Sequence, residues 1–297
     1  LILMEGIVSI GLAYFISRLI SKPIEEIHDI IASINEENIE TKRLIIPKKN
    51  DEFAIVSQQF NELLDKISFY IAQQKHFVED VSHELRTPVA IVEGHLKLLN
   101  RWGKDDPEVL EESLSASLAE IKRMKTLVQE MLDLSRAPQV REQYKDAKTE
   151  VVATLEQIVT NFKILYPDFT FISDIDTKKE IISPIYRNHF EQVIIILLDN
   201  AVKYSTDRKE IIVSLSPTTE AVEIGIQDFG MGLTEEDKKK VFSRFYRVDK
   251  ARSRERGGNG LGLSIAKELI EGYNGKISLT SRLNHGSLFK VKLPIAK

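Results

Sequence analysis

Between Phe53 and Arg101 nothing in the sequence halts a helix except one proline, Pro88. A helix of that length runs about 70 Å at 1.5 Å per residue, longer than a compact core needs, so this stretch commits the chain to an elongated helical architecture. Phe77, Val81, Leu85, Pro88, Val92, Leu96 and Leu99 advance at close to the helical period and share an arc of roughly 100°. His83 points about 190° away from the centre of that arc, whereas a core histidine belongs on the apolar stripe. Thr87, four residues on, shares the face of His83, and Glu84 stands beside it. Pro88 removes the backbone bond to the carbonyl of Glu84 and is expected to bend the helix one turn past His83.

Asn100 to Pro107 reads as a turn, with Gly103 as the stop and Asp105 or Asp106 as the cap of a second helix that runs to about Arg136. That helix carries two heptad seams: Leu114, Ile121 and Val128, and Leu110, Ser117, Met124 and Met131. One hairpin cannot bury both, so two chains are expected to pair as a four-helix bundle. Upstream, Leu1 to Ile20 is apolar apart from Glu5, Arg18 and a few small polar residues, and its length suits a membrane span, with Arg18 and Lys22 on the cytoplasmic side. Two short helices follow: Ile24, Ile27, Ile31 and Ile34 form one narrow seam after Pro23, and Phe53, Val56, Phe60, Leu63 and Ile67 form another after the acidic pair Asp51 and Glu52.

From about Thr149 the pattern changes to mixed α/β. Strands are expected at Phe169 to Ile175, Ile211 to Ser216, Val222 to Gln227, Lys276 to Thr280 and Leu288 to Leu293. Helices are expected at Tyr186 to Tyr204, Glu235 to Phe245 and Leu261 to Gly272. No P-loop is present, yet six of the 14 glycines fall between Asp228 and Gly262, where the backbone can approach a ligand closely. Three clusters stand in order: LLDNAVKYS from Leu197, DFGMG from Asp228, and GGNGLGLSIAKELI from Gly257, whose glycine amides open a helix suited to phosphates. The chain contains no cysteine, which excludes disulfides, zinc ribbons and thiol nucleophiles and leaves histidine as the natural nucleophile. A formal net charge of −4 argues against whole-chain attraction to nucleic acid.

Taken together, SHELRTP around His83 and the three downstream clusters resemble a bacterial transmembrane sensor histidine kinase of a two-component system. The run from Phe77 through DDPEVLEESL is similar to the autolysis-related, ArlS-type, sensor kinases of low-GC Gram-positive bacteria. The resemblance implies the end of a transmembrane helix (1–20), a HAMP coiled coil (21–68), a dimerising histidine-phosphotransfer (HisKA) bundle (69–137), a linker (138–148) and an ATP-binding domain (149–297). That last domain would be an α/β sandwich of the gyrase, Hsp90, histidine kinase and MutL type (HATPase_c). The same resemblance implies a homodimer in the cell membrane with its HAMP and kinase domains cytoplasmic, acting with ATP and Mg2+ on a response-regulator receiver domain and with no direct nucleic-acid partner.

Residue by residue, it makes His83 the phosphorylated group, Glu84 its partner, and Thr87 the residue that places water for a response-regulator phosphatase activity. Asn200 corresponds to the magnesium ligand, Lys203 to a phosphate contact, Tyr204 to a residue near the base or ribose, and Asp228 to the acceptor of the adenine amino group. Gly230 and Gly232 let the backbone approach the base. Phe242 and Phe245 anchor a lid over roughly 247–258, Arg247 and Arg252 lie near the triphosphate, and Gly258, Gly260, Leu261 and Gly262 form the second glycine box. One position departs: Ile196 stands where these kinases have a further magnesium-binding asparagine and related ATPases have a water-activating glutamate, which argues against hydrolysis as the main reaction. The competing readings are a nucleotide-gated dimeric scaffold without efficient kinase activity and a gyrase-type ATPase clamp.

Overall fold

The computed structural model describes residues 2–35, 38–46, 52–103, 105–136, 143–175, 177, 179–248 and 258–296. They divide into two compact units, 1–82 and 83–297.

The first unit begins with α1 (Ile2–Ile16), which passes through a π-helical stretch, Ser17–Ser21, into α2 (Lys22–Ser33). Here the expectation of a membrane span is corrected. Among the described residues no helix is long and apolar enough to cross a membrane. The backbone also changes its hydrogen-bond register at Ser17, directly after the 15 residues of α1. The cell-membrane location expected for the chain rested on that span and loses that support.

The expected HAMP coiled coil is corrected as well. Of the seam on α3 (Glu52–Trp102), Val56, Leu63 and Ile67 are exposed, whereas Ala54, Ser57 and Leu64, one position along, are buried. What covers this face is the connector before the helix. Asn61 pairs with both backbone groups of Leu44, accepting from its N–H at 2.8 Å and donating to its carbonyl at 3.0 Å. Ser68 donates to the Ile39 carbonyl at 3.0 Å, and Arg43 pairs with Asp65. Small side chains let the connector backbone lie close, so they and not the large apolar residues mark the packed face. Asp51 of the expected acidic pair lies outside the described residues.

The second unit takes over α3 at His83. α3 is unbroken through Pro88, and Gly103 closes it by donating to the Leu99 carbonyl at 2.9 Å. Asp106 caps α4 (Pro107–Arg136), its Oδ1 accepting from the amides of Glu108 and Val109 at 3.0 and 3.3 Å, with Pro107 fixed at the first helical position. On α4, Ser113, Ser117, Leu127 and Leu134 are buried, but Leu114, Ile121 and Val128 remain exposed.

After α4 come β1 (Thr149–Glu150), α5 (Val151–Leu165), β2 (Thr170–Ile175), β3 (Ile182–Ser183), α6 (Arg187–Tyr204), β4 (Glu210–Pro217) and β5 (Ala221–Asp228). α7 (Glu235–Lys240), α8 (Gly262–Gly272), β6 (Lys276–Arg282) and β7 (Gly286–Pro294) complete the chain. Five strands form one sheet in the order β2-β4-β5-β7-β6, parallel between β2 and β4 and antiparallel elsewhere, and β1 pairs separately with β3. Alternation places Ile211, Val213 and Leu215 on the covered face, against the wholly buried Phe190, Ile194 and Leu197 of α6 and Ile265 and Ile270 of α8. The result is a two-layer α/β sandwich following an α-helical segment. α5 and its start were not expected from the sequence; Glu150 caps it by accepting from the Val152 and Ala153 amides. α7 is shorter than the expected Glu235 to Phe245, because Phe245 takes a left-handed φ of 59° and Tyr246 ties back to Asp237.

Candidate functional site

A cavity of about 220 Å³ opens between α6, the end of β5 and the start of α8. It gathers Asn200, Lys203, Tyr204, Asp228, Gly232, Arg247, Gly258, Gly260 and Gly262, which lie far apart in the chain and which the sequence singled out. Gly230 and Leu261 do not line it, and Leu261 is wholly buried in the core. Arg252 lies outside the described residues, as does the lid from 249 to 257. His83, Glu84 and Thr87 are on α3 and not in this cavity: His83 and Thr87 are exposed, Glu84 is half-buried, and the Pro88 that follows is buried.

Asp228 ends β5 and is only 4% exposed. Its Oδ1 accepts from the backbone amides of Gly230 at 2.8 Å and Ser287 at 3.2 Å. Burial pushes its carboxyl above the ordinary range, and the two amides pull against that shift. Two glycines allow this geometry. A Cβ at Gly230 would overlap the Tyr204 carbonyl, and at Gly286, with φ of 92°, it would overlap the Asp228 carbonyl.

Also lining the cavity, the Lys203 ammonium lies against Gly258, where a side chain would meet it, and 5.4 Å from the centre of the Tyr204 ring. Gly260 packs on the backbone of Phe245, so the end of the α7 region and the second glycine box support each other. Tyr246 donates to Asp237 Oδ1 at 2.6 Å, a bond that holds the phenol up at about 12, while the Thr234 hydroxyl first and the Tyr246 bond second hold the Asp237 carboxyl below its usual range. Ile196 lines the cavity one turn before Asn200 and packs over Gly262.

Several wall residues carried no sequence signal. Glu130 reaches the cavity from α4 and accepts from the Asn259 side-chain amide at 3.2 Å. Burial raises the Glu130 carboxyl, with Asn259 and Lys203 opposing and Asp133 adding to the shift. One turn on, Asp133 accepts from Gln192 of α6 at 2.8 Å. A cleft lined by a buried carboxylate acceptor, close-packed glycines and a lysine suits an anionic ligand that also carries hydrogen-bond donors, as an adenine nucleotide does.

The fold and this cavity define a helical segment joined to an α/β sandwich with a glycine-lined cleft. Comparison with known proteins gives the class its name. Residues 186–297 match the family described as histidine kinase-, DNA gyrase B-, and HSP90-like ATPase, and residues 73–139 match the His Kinase A (phospho-acceptor) domain. The chain therefore has histidine-kinase domain architecture. Neither match extends to 21–68, so the resemblance to a transmembrane sensor narrows to the kinase domains.

The chain is 38% identical over 293 residues to the signal transduction histidine-protein kinase ArlS of Staphylococcus epidermidis, covering 99% of this chain and 64% of that protein. It is 39% identical over 286 residues to ArlS of Staphylococcus aureus, covering 96% and 63%. The chain thus spans somewhat under two thirds of these relatives. Among solved structures, the Acinetobacter baumannii histidine kinase AdeS aligns with a TM-score of 0.55 at 24% identity, over 72% of this chain and 98% of that one. Histidine kinase ThkA in complex with response regulator protein TrrA aligns with 0.58 at 22%, over 74% and 61%. Both share the fold.

Proposed function

We propose that the chain is the kinase portion of a two-component signalling protein that phosphorylates itself on His83 from ATP and passes the phosphoryl group to an aspartate of a response-regulator receiver domain. The observation that carries this reading is the pairing of a glycine-lined cleft that includes the buried Asp228 with an exposed histidine on a continuous helix. A neutral imidazole nitrogen of His83 attacks the γ-phosphorus, the bond to the β–γ bridging oxygen breaks, ADP leaves, and the imidazole proton passes to Glu84 or water. Asp228 receives the adenine amino group, Lys203 and Arg247 face the phosphates, and the amides of Gly258, Gly260 and Gly262 cradle them. Thr87, one turn from His83, positions a water that hydrolyses the aspartyl phosphate of the response regulator, releasing inorganic phosphate.

Among the described residues no group of three or more histidine and carboxylate side chains could hold a metal ion. Asn200 suits Mg2+, which takes most of its ligands from phosphate and water and would neutralise charge on the transferring group. Leu114, Ile121 and Val128 of α4, exposed in one chain, are the seam a second copy would cover in a homodimeric bundle.

The test is incubation with γ-labelled ATP followed by acid and base. Label that is lost in acid, survives base and disappears in His83→Gln supports the proposal; label retained by that variant rejects His83. Binding of nucleotide without any transfer would favour the dimeric scaffold instead.

A further inference from the structure

Behind Asp228 lies a chain of hydroxyls with one self-consistent direction. Ser281 Oγ, on β6, accepts from the Leu233 amide at 2.9 Å, lies 2.9 Å from the Gly286 carbonyl oxygen, and lies 3.0 Å from Ser287 Oγ. A serine hydroxyl has one proton and two lone pairs. The Leu233 N–H can only donate and the Gly286 carbonyl can only accept, so Ser281 gives its proton to Gly286 and receives Leu233 on one lone pair. Its remaining lone pair faces Ser287, which makes Ser287 the donor of that bond. Ser287 has then used its only proton. Its oxygen offers acceptors alone, and Ser287 lines the same cavity as Asp228 while Ser281 does not.

We infer that Ser281 is a positioning residue for base selection: it fixes the Ser287 hydroxyl as an acceptor, so that the floor of the cavity, Asp228 and Ser287 together, presents no proton to the base. This rests on the reading of the cavity as an adenine-nucleotide site. A base with an exocyclic amino group at its 6-position finds acceptors there, directly or through water. One with a carbonyl oxygen at the same position meets lone pairs. Without Ser281 the Ser287 proton is free to turn toward the cavity and serve such an oxygen.

ATP and ITP differ at that position, and direct binding of their non-hydrolysable analogues to the full chain tests the inference. Wild type is expected to prefer the ATP analogue. Ser281→Ala is expected to narrow the ratio of the two affinities by about five- to tenfold, the factor that one hydrogen bond of ordinary net strength represents. Ser281→Thr, which keeps the hydroxyl, restores the ratio. Ser287→Ala, which leaves the Ser281–Gly286 bond in place, narrows the ratio similarly and makes a further Ser281→Ala change silent. A residue that only braced the fold would weaken both nucleotides alike. An unchanged ratio in Ser281→Ala or in Ser287→Ala, with wild type still preferring the ATP analogue, overturns the role of Ser281 alone. Wild type that binds neither nucleotide overturns the adenine reading with it.

Discussion

Asp228→Asn separates recognition of the base from folding. The carboxylate is buried and its Oδ1 accepts two backbone amides, at 2.8 and 3.2 Å. Asparagine has the same shape, and its own Oδ1 can accept both, so the turn that carries Gly230 and the start of β7 should persist. What changes is the second oxygen, which becomes a donor aimed at the donor of the base. One charge-assisted hydrogen bond, about 1.5–3 kcal/mol, is lost, and an unpaired buried donor adds roughly 1 kcal/mol. The sum corresponds to about a hundred- to a thousandfold weaker nucleotide binding at ~1.4 kcal/mol per tenfold.

Stability should move the other way. Burial holds the Asp228 carboxyl above its ordinary value of 3.8. A group raised in this way stabilises the fold below its unfolded pKa, and that contribution is lost as pH rises through the folded pKa. At neutral pH the ionised aspartate therefore disfavours the folded state relative to a neutral side chain. The variant should melt at the same temperature as wild type or higher, and its advantage should shrink on acidification into the ordinary carboxylate range. Titration calorimetry with a non-hydrolysable ATP analogue, paired with thermal unfolding at neutral and acidic pH, reads both. Unchanged affinity would refute the assignment of Asp228 to the base, and a variant that melts well below wild type at neutral pH would refute the electrostatic reasoning.

Glu130→Gln should tighten nucleotide binding by roughly three- to tenfold, since it keeps the acceptor for Asn259 but removes a half-buried negative charge from a cleft that must admit phosphates; weaker binding in a titration would count against this. Gly94→Ala, where an added Cβ meets nothing within 4 Å two turns inside the C-terminal end of α3, should raise stability by about 1 kcal/mol. Gly232→Ala, at φ of 63° with the Arg282 carbonyl in the way, should lower both stability and nucleotide affinity; equal denaturant midpoints for the two would refute the contrast. Ile196→Asn adds a ligand one turn from Asn200 and should increase magnesium affinity severalfold in the presence of nucleotide; indistinguishable titrations would show that Ile196 is neutral toward the ion.

The residues that were legible in the sequence owe their signal to local rules. The β4 and β5 strands declare themselves by alternation, α3 by the lack of any stop before Gly103, α4 by Asp106 and Pro107, and the cavity by glycines that only a close backbone approach demands. Large apolar residues misled where packing is made by small ones. Phe53, Val56 and Leu63 advertise a seam, yet the covered face of α3 is Ala54, Ser57, Asn61, Leu64 and Ser68, because Asn61 can pair with the Leu44 backbone only if the connector lies close. Glu130 was invisible for a different reason. Its surroundings, LVQEMLDL, read as an ordinary amphipathic helix, and its place in the cavity wall is set by contacts from α4 to Asn259 and Gln192, 129 and 59 residues further along the chain. Ser281 and Ser287 likewise look like polar positions of two strands, and their significance depends on which of them holds the single proton between them. Such features follow from direction and tertiary register, which no local pattern encodes. A carboxylate and a hydroxyl supplied from outside the glycine clusters are therefore where this chain has room to adjust affinity and base preference while keeping the clusters unchanged.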